Sequence, residues 1–150
     1  MANGITPVAL SDAAKDIVHT SIATSERKVQ LSLGQMLVLG MLAGVYIGFG
    51  AELMTMVTND LAKYVGTGLT QFIGGAVFSV GLMLVVLAGA ELFTGNCLVI
   101  TGALEGRVTW GQLLYNWIAI WIFNLLGSLL LVYIYYYSGL WKVNGALVGA

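Results

Sequence analysis

Charged residues are scarce in this sequence: Asp, Glu, Lys and Arg make up 9% of the 150 residues, whereas 59% are hydrophobic. A soluble domain carries about 25% charged residues. A chain of this size with so few charges could not cover a water-exposed surface, which predicts an integral membrane protein. The net charge of −1 gives no electrostatic footprint for nucleic acid, so no such partner is expected.

Cysteine and histidine occur once each. The single cysteine, Cys97, excludes an intrachain disulfide and a cysteine-based zinc site, and its apolar neighbours predict a buried, inert thiol. No nucleophile–base pair and no cluster of metal ligands occurs, so we expect neither an enzyme nor a metal or cofactor. Met1–Leu10 has no basic residue and no cleavable apolar core follows, which argues against a secretory signal.

Long segments without any charge are present instead: Val29–Ala51, Tyr64–Ala90 and Val108–Trp141. At a rise of about 1.5 Å per residue, a helix over each would cross a hydrocarbon core of roughly 30 Å. We therefore predict an all-α membrane protein with one domain over residues 1–150. Its predicted elements are an amphipathic surface helix at 11–29 and transmembrane helices at 32–57, 71–104 and 111–137.

The surface helix and the loops contain the basic residues. Ser11 is a good N-cap for this helix, and Ala14, Ile17, Val18 and Ile22 form an apolar face that we expect to lie on the membrane or beneath the bundle. The basic residues divide four against two between the two sides of the predicted spans, which favours three crossings of the cell membrane with a cytoplasmic N-terminus. The four are Lys15, Arg27, Lys28 and Arg107; the two are Lys63 and Lys142.

A polar segment, Gly89–Cys97, interrupts the second predicted span. A carboxylate, a hydroxyl, two glycines and an amide are costly in lipid and are tolerated only inside protein or along a cavity. We therefore predict that the span is broken near 91–96 and that a short helix resumes near Leu98. Two helical pieces around an irregular segment are typical of the substrate pathway in transporters.

Four residues of this segment are expected to shape the loop. Glu91 is predicted to accept hydrogen bonds from the freed backbone amides, and a proton or cation site is the alternative. Gly89 lets another backbone come close, whereas Gly95 and Asn96 suit a turn with positive φ back into helix. The N-terminal end of that helix would point at the break and favour an anion there.

Polar and small residues on the other two spans are predicted to support the loop. Gly40, Gly44 and Gly48 recur every four residues and indicate a flat face for close helix packing, with a narrow pore wall as the alternative. Asn116 and Asn124 lie eight residues apart on one face of the third span. We expect these amides to bind the loop or a neighbouring helix, since buried amides in lipid need partners.

The stretch Gly89–Asn96 resembles the signature of the formate/nitrite transporter family, and Leu42–Gly48 and Gly106–Leu113 also agree, as do the residues around Asn116 and Asn124. The resemblance covers about residues 11–140. It implies an aquaporin-like protomer with six spans in two inverted halves, assembled as a homopentamer with one pore in each protomer. The present chain would be the first half.

The resemblance also implies roles for individual residues. Leu92, Phe93 and Thr94 correspond to pore residues of the loop, and Phe78 and Leu82 to constriction residues on the preceding helix. Members of the family pass small monovalent anions of weak acids, among them formate, nitrite and hydrosulfide.

The chain departs from the family in length. Members are nearly twice as long, and their second half supplies a pore-lining histidine and a nearby lysine. His19 lies in the surface helix and cannot play that part. We therefore expect the 150 residues to belong to a longer protein whose second half is not in this chain.

The hypothesis from sequence is a channel-like carrier of a small anion, working without covalent chemistry. The apolar residues would remove water from the solute and Thr94 would bind it, while a group in the second half would protonate it for the crossing. One alternative is a pore for small uncharged solutes, although the Asn-Pro-Ala motif of aquaporins is missing and Pro7 is the only proline. The other is a truncated assembly subunit that transports nothing.

Overall fold

The computed structural model describes residues 12–142. Three helices of this part are long and apolar enough to cross a membrane: Leu33–Thr58, Thr67–Ala88 and Trp110–Ser138. The α-helices are α1 (Asp12–Val29), α2 (Leu33–Thr58), α3 (Ala62–Val65), α4 (Thr67–Ala88), α5 (Phe93–Asn96), α6 (Ile100–Leu104) and α7 (Trp110–Ser138), with 3₁₀ turns at Cys97–Val99 and Leu140–Lys142. The bounds of α2 and α7 differ by one residue from the predicted 32–57 and 111–137.

Capping boxes begin two of the spanning helices. The Thr109 hydroxyl accepts a hydrogen bond from the Gln112 amide at the start of α7, and the Gln112 side-chain oxygen accepts one from the Thr109 amide. Ser32 and Gln35 form the same motif at the start of α2, which the sequence analysis did not identify. Each box satisfies backbone amides that the first helical turn leaves free. Ser11, the predicted cap of α1, lies outside the described residues.

α2 lies between α4 and α7 and touches both along glycines. A methyl group added at Gly44 would lie 2.1 Å from the Asn124 carbonyl of α7, and one at Gly50 would lie 2.7 Å from the Phe78 carbonyl of α4. Gly40 and Gly48 face α7 in the same way. The glycines therefore allow the backbones to approach closely, as small residues do between membrane helices.

The surface helix α1 packs against α6 and the 3₁₀ turn before it, and Ala14 and Ile22 of its predicted apolar face are half-buried. Ile17 and Val18 are exposed, whereas Ser25 is only 1% exposed. Ser25 lies directly against Gly102: a methyl group added to Gly102 would be 2.7 Å from the Ser25 Cβ. Such a close approach requires a small side chain, and the Ser25 hydroxyl is satisfied by the Ser21 carbonyl at 2.8 Å.

The second span is broken, but the break lies earlier than predicted. α4 ends at Ala88 and helix resumes at Phe93, so the irregular segment covers residues 89–92 rather than 91–96. From Phe93 the chain continues as α5, a 3₁₀ turn and α6 as far as Leu104, which places the resumed helix about five residues before Leu98. Cys97 falls on this segment and is exposed, so the prediction of a buried thiol is wrong.

Candidate functional site

The break begins with a left-handed glycine. Gly89 has φ of 62° and ends α4, and its amide donates to the Val86 carbonyl at 3.2 Å while the Ala90 amide donates to the Val85 carbonyl at 3.0 Å. A residue with positive φ at this position closes a helix, and glycine adopts it without strain. Among residues 12–142 no atom lies within 4 Å of an added methyl at Gly89, so the structure shows no close backbone approach there within this part of the chain.

The chain returns to helix without the turn predicted at Gly95 and Asn96. Both residues lie inside α5, and Asn96 has φ of −74°, a helical value. Leu92 is extended and precedes the helix, and the Asn96 amide donates to its carbonyl at 3.0 Å. The single turn at Gly89 is therefore sufficient to redirect the chain.

Two neighbouring helices supply the partners of the loop backbone. The Glu91 amide donates to the Leu39 carbonyl of α2 at 3.2 Å. Asn124, halfway along α7, accepts from the Phe93 amide at 2.8 Å and donates to the carbonyls of Glu91 and Gly40, both at 2.9 Å. One asparagine thus fixes the loop to both α2 and α7, since an amide side chain both donates and accepts.

The Glu91 side chain forms an ion pair instead of capping the loop amides. Its Oε2 accepts from Nζ of Lys28, at the end of α1, at 2.7 Å. Glu91 is 7% exposed, so its charge would be very costly without a cation beside it. The predicted role was wrong because Leu39 and Asn124 already satisfy the Glu91 and Phe93 amides.

Lys28 also begins a closed ring of hydrogen bonds. Its Nζ donates to Asn96 Oδ1 at 2.9 Å, Asn96 Nδ2 donates to Asn116 Oδ1 at 2.9 Å, and Asn116 Nδ2 returns to the Lys28 carbonyl at 3.2 Å. Trp117 Nε1 donates to the Asn96 carbonyl at 2.7 Å. The ring joins α1, α5 and α7, and its two asparagines are almost fully buried.

A groove of about 470 Å³ opens beside the break. Leu82, Leu92 and Thr94, three of the predicted pore residues, line it together. Arg27, Lys28 and Glu91 line it as well, so its charged groups sum to one positive charge. Thr94 is exposed, and its hydroxyl has no hydrogen-bond partner within residues 12–142. The groove therefore presents a free hydroxyl and a positive field beside apolar walls.

The two predicted phenylalanines do not line this groove. Phe93 turns toward α7, where its ring meets the Trp117 ring edge-on with centroids 6.4 Å apart. It packs beside the buried cluster of Met36, Ala119 and Ile120. Phe78 lies one turn from Leu82 on α4, farther from the break, and is half-buried. In this structure Phe93 therefore contributes to the packing of the loop.

Sequence reasoning missed three residues of the site: Arg27, Lys28 and Trp117. A carboxylate inside a span calls for a cation, and Lys28 is the last basic residue before the long apolar run. The indole N–H of Trp117 needs an acceptor when it is buried. These signals were present, but the prediction used Lys28 only to assign the topology and gave Trp117 no role in the site.

The protein has three apolar spans, and a polar loop enclosed by protein breaks one of them. This architecture defines a membrane protein of the class that includes transporters built on broken helices. A family model described as formate/nitrite transporter matches residues 15–149. The chain therefore belongs to the formate/nitrite transporter family, as its signature segment predicted.

Similar proteins include a probable formate transporter of Methanothermobacter thermautotrophicus, 45% identical over 120 residues, or 79% of this chain and 44% of that protein. The formate channel BtFdhC of Bacillus thuringiensis is 39% identical over 126 residues, or 83% and 48% of the two chains. A solved FNT family ion channel superposes with a TM-score of 0.75 at 29% identity, covering 83% of this chain and 50% of that one. The present chain spans about half the length of these relatives.

Proposed function

We propose that this chain forms part of a membrane channel for small monovalent anions of weak acids, such as formate, nitrite or hydrosulfide. The proposal rests on the groove beside the break. This groove is lined by the Thr94 hydroxyl, by two cations, Arg27 and Lys28, and by a single carboxylate, Glu91. Family membership and the names of the relatives point to the same class of solute.

In the proposed mechanism, the positive rim of the groove attracts the anion. Arg27 is exposed, whereas Lys28 is held by Glu91 at 2.7 Å and contributes less free charge. Leu82 and Leu92 then remove water from the solute, and Thr94 replaces part of the lost hydration with a hydrogen bond. Phe78 extends the apolar wall by one turn of α4, and Phe93 holds the loop in place.

Protonation of the anion by a group in a second half of the protein would lower the cost of moving a charge through this apolar region. We propose that this second half completes the pore as an inverted, aquaporin-like repeat and that the whole protein is a homopentamer. We also propose a cytoplasmic N-terminus in the cell membrane. Arg107 lies 3.9 Å from Glu26, so the basic residues of α1 and of the loop before α7 gather at one end of the bundle, as the positive-inside rule requires.

Formate flux into vesicles containing the full-length protein tests the role of Thr94. Thr94→Ala removes the hydroxyl, and the loss of one hydrogen bond to the solute, worth about 1 kcal/mol, should reduce flux by roughly fivefold to tenfold. Thr55→Ala is the matched control, because the Thr55 hydroxyl donates to its own helix at the Ala51 carbonyl, 2.9 Å away.

Unchanged formate flux in Thr94→Ala would remove this residue from the mechanism. Flux of a small uncharged solute, such as glycerol, measured in the same vesicles separates an anion channel from a neutral-solute pore. Glycerol flux equal to formate flux would contradict the proposal, and no flux of either solute through well-folded wild-type protein would favour an assembly subunit.

A further inference from the structure

Two buried oxygen atoms lack partners at the end of the bundle away from the break. They are Oε1 of Glu52 on α2 and Oη of Tyr135 on α7, and neither has a hydrogen-bond partner among the residues that the structure describes. Buried polar atoms are almost always hydrogen-bonded, so each such atom requires an explanation. Glu52 as a whole is half-buried, but an unpaired carboxylate oxygen inside protein is costly, and a neutral carboxyl group is much less so.

The packing of α2 on α7 places these two residues at the same level. An added methyl at Gly40 would meet Phe123, and one at Gly48 would meet Leu131. Contacts that lie eight residues apart on α2 therefore also lie eight residues apart on α7, in the same chain direction. The two helices therefore run parallel and stay in contact. One further step of four residues brings Glu52 to Tyr135, because residues four apart share a helix face.

The helices packed against α2 offer Glu52 no counter-ion. α4 contains no charged or titratable residue, and the only titratable residues of α7 at this end are its tyrosines. Tyr133, Tyr136 and Tyr137 are exposed, whereas Tyr135 is half-buried and its hydroxyl is enclosed. Asp60 and Lys63 follow the end of α2, and Glu52 lies six residues inside that end, about 9 Å along the helix axis.

We propose that Glu52 and Tyr135 form a membrane-embedded proton site, in which Glu52 holds a proton at neutral pH and shares it with the Tyr135 hydroxyl. Because neither oxygen has a direct protein partner within residues 12–142, the carboxylic O–H donates to a water that bridges to Tyr135 Oη, and the phenol can donate back along the same bridge to the carboxyl carbonyl. The proton removes the buried charge, and the hydrogen bonds satisfy both oxygens. This site is distinct from the break and does not depend on the proposed transport function.

Infrared difference spectroscopy on the full-length protein tests the site directly, because a protonated carboxyl group has a C=O stretching band separate from the carboxylate bands. The wild-type protein at neutral pH should show such a band, and Glu52→Gln should remove it. Glu105→Gln is the matched control and should leave the band in place, since Glu105 is exposed at the end of α6.

Tyr135→Phe provides a second, independent variant that keeps the ring and removes only the hydroxyl. It should retain the band and move it to higher frequency, because the carboxyl group loses its hydrogen-bond partner. A wild-type spectrum without the band, a band that survives Glu52→Gln, or a band unmoved in Tyr135→Phe would each overturn the proposal. If Glu52→Gln does not fold, the wild-type spectrum and the Tyr135→Phe shift still decide the question.

Discussion

Replacing Gly44 by alanine should both destabilise the bundle and displace the loop at the break. Gly44 of α2 is at the closest approach to α7, where an added methyl would lie 2.1 Å from the Asn124 carbonyl oxygen and 2.9 Å from the Ser128 nitrogen. Both contacts are backbone atoms, which cannot move aside as a flexible side chain can. The two helices must therefore separate.

The required separation is about 1.3 Å, the difference between 2.1 Å and the 3.4 Å at which ordinary contact begins. Inserting a methyl group into a well-packed interface typically costs about 1–3 kcal/mol, and we expect the upper part of this range because backbone lies opposite backbone. Movement of Asn124 would also strain its bonds to the Phe93 amide and the Glu91 carbonyl, at 2.8 and 2.9 Å.

Thermal unfolding of the full-length protein in detergent, followed by tryptophan fluorescence, measures this effect. Gly75→Ala on α4 is the matched control, because no atom of residues 12–142 lies within 4 Å of an added methyl there and alanine favours helix more than glycine does. Gly44→Ala should unfold at a clearly lower temperature than wild type, and Gly75→Ala at the same or a higher one. Equal stability of Gly44→Ala and wild type would refute the packing argument.

Two further substitutions test the charges around the break. Lys28→Met leaves the buried Glu91 carboxylate without its cation and should lower the free energy of unfolding by about 3–5 kcal/mol. Lys63→Met, at an exposed lysine, is the control and should change this free energy little. Equal unfolding temperatures for the two variants would mean that the ion pair does not hold the loop. Arg27→Gln should slow formate entry at low ionic strength, with the difference shrinking as salt is added. Arg107→Gln is its control, because Arg107 lies beside Glu26 and outside the groove; a salt-independent effect, or an equal effect in the control, would contradict the steering role.

The sequence predicted the spanning helices well because their signal is local. The predicted bounds of α2 and α7 lie within one residue of those observed, and the glycines spaced by four on α2 predict which face packs closely. The polar residues after Ala88 indicate that the second span cannot continue as a lipid-facing helix. Each of these inferences uses only neighbouring residues and the cost of polar groups in lipid.

The details of the break depend on residues far away in the chain, and these the sequence could not select. Gly89 and Gly95 are both able to end a helix, and the structure uses Gly89 because Asn124, on another helix, binds the Phe93 amide where helix resumes. The partner of Glu91 is 63 positions earlier in the chain. The close contact of Ser25 on α1 with Gly102 likewise joins residues far apart in the chain.

The ring of Lys28, Asn96 and Asn116 sets the order in which the parts of this protein can assemble during synthesis. Lys28 leaves the ribosome before any spanning helix, yet its partners Glu91 and Asn96 follow only in the second span, and Asn116 only in the third. The contacts of α1 with the rest of the bundle can therefore be completed only after the third span has been synthesised. A nascent chain halted before that point would hold Glu91 in the membrane while Asn116, which binds both Asn96 and the Lys28 backbone, was still missing.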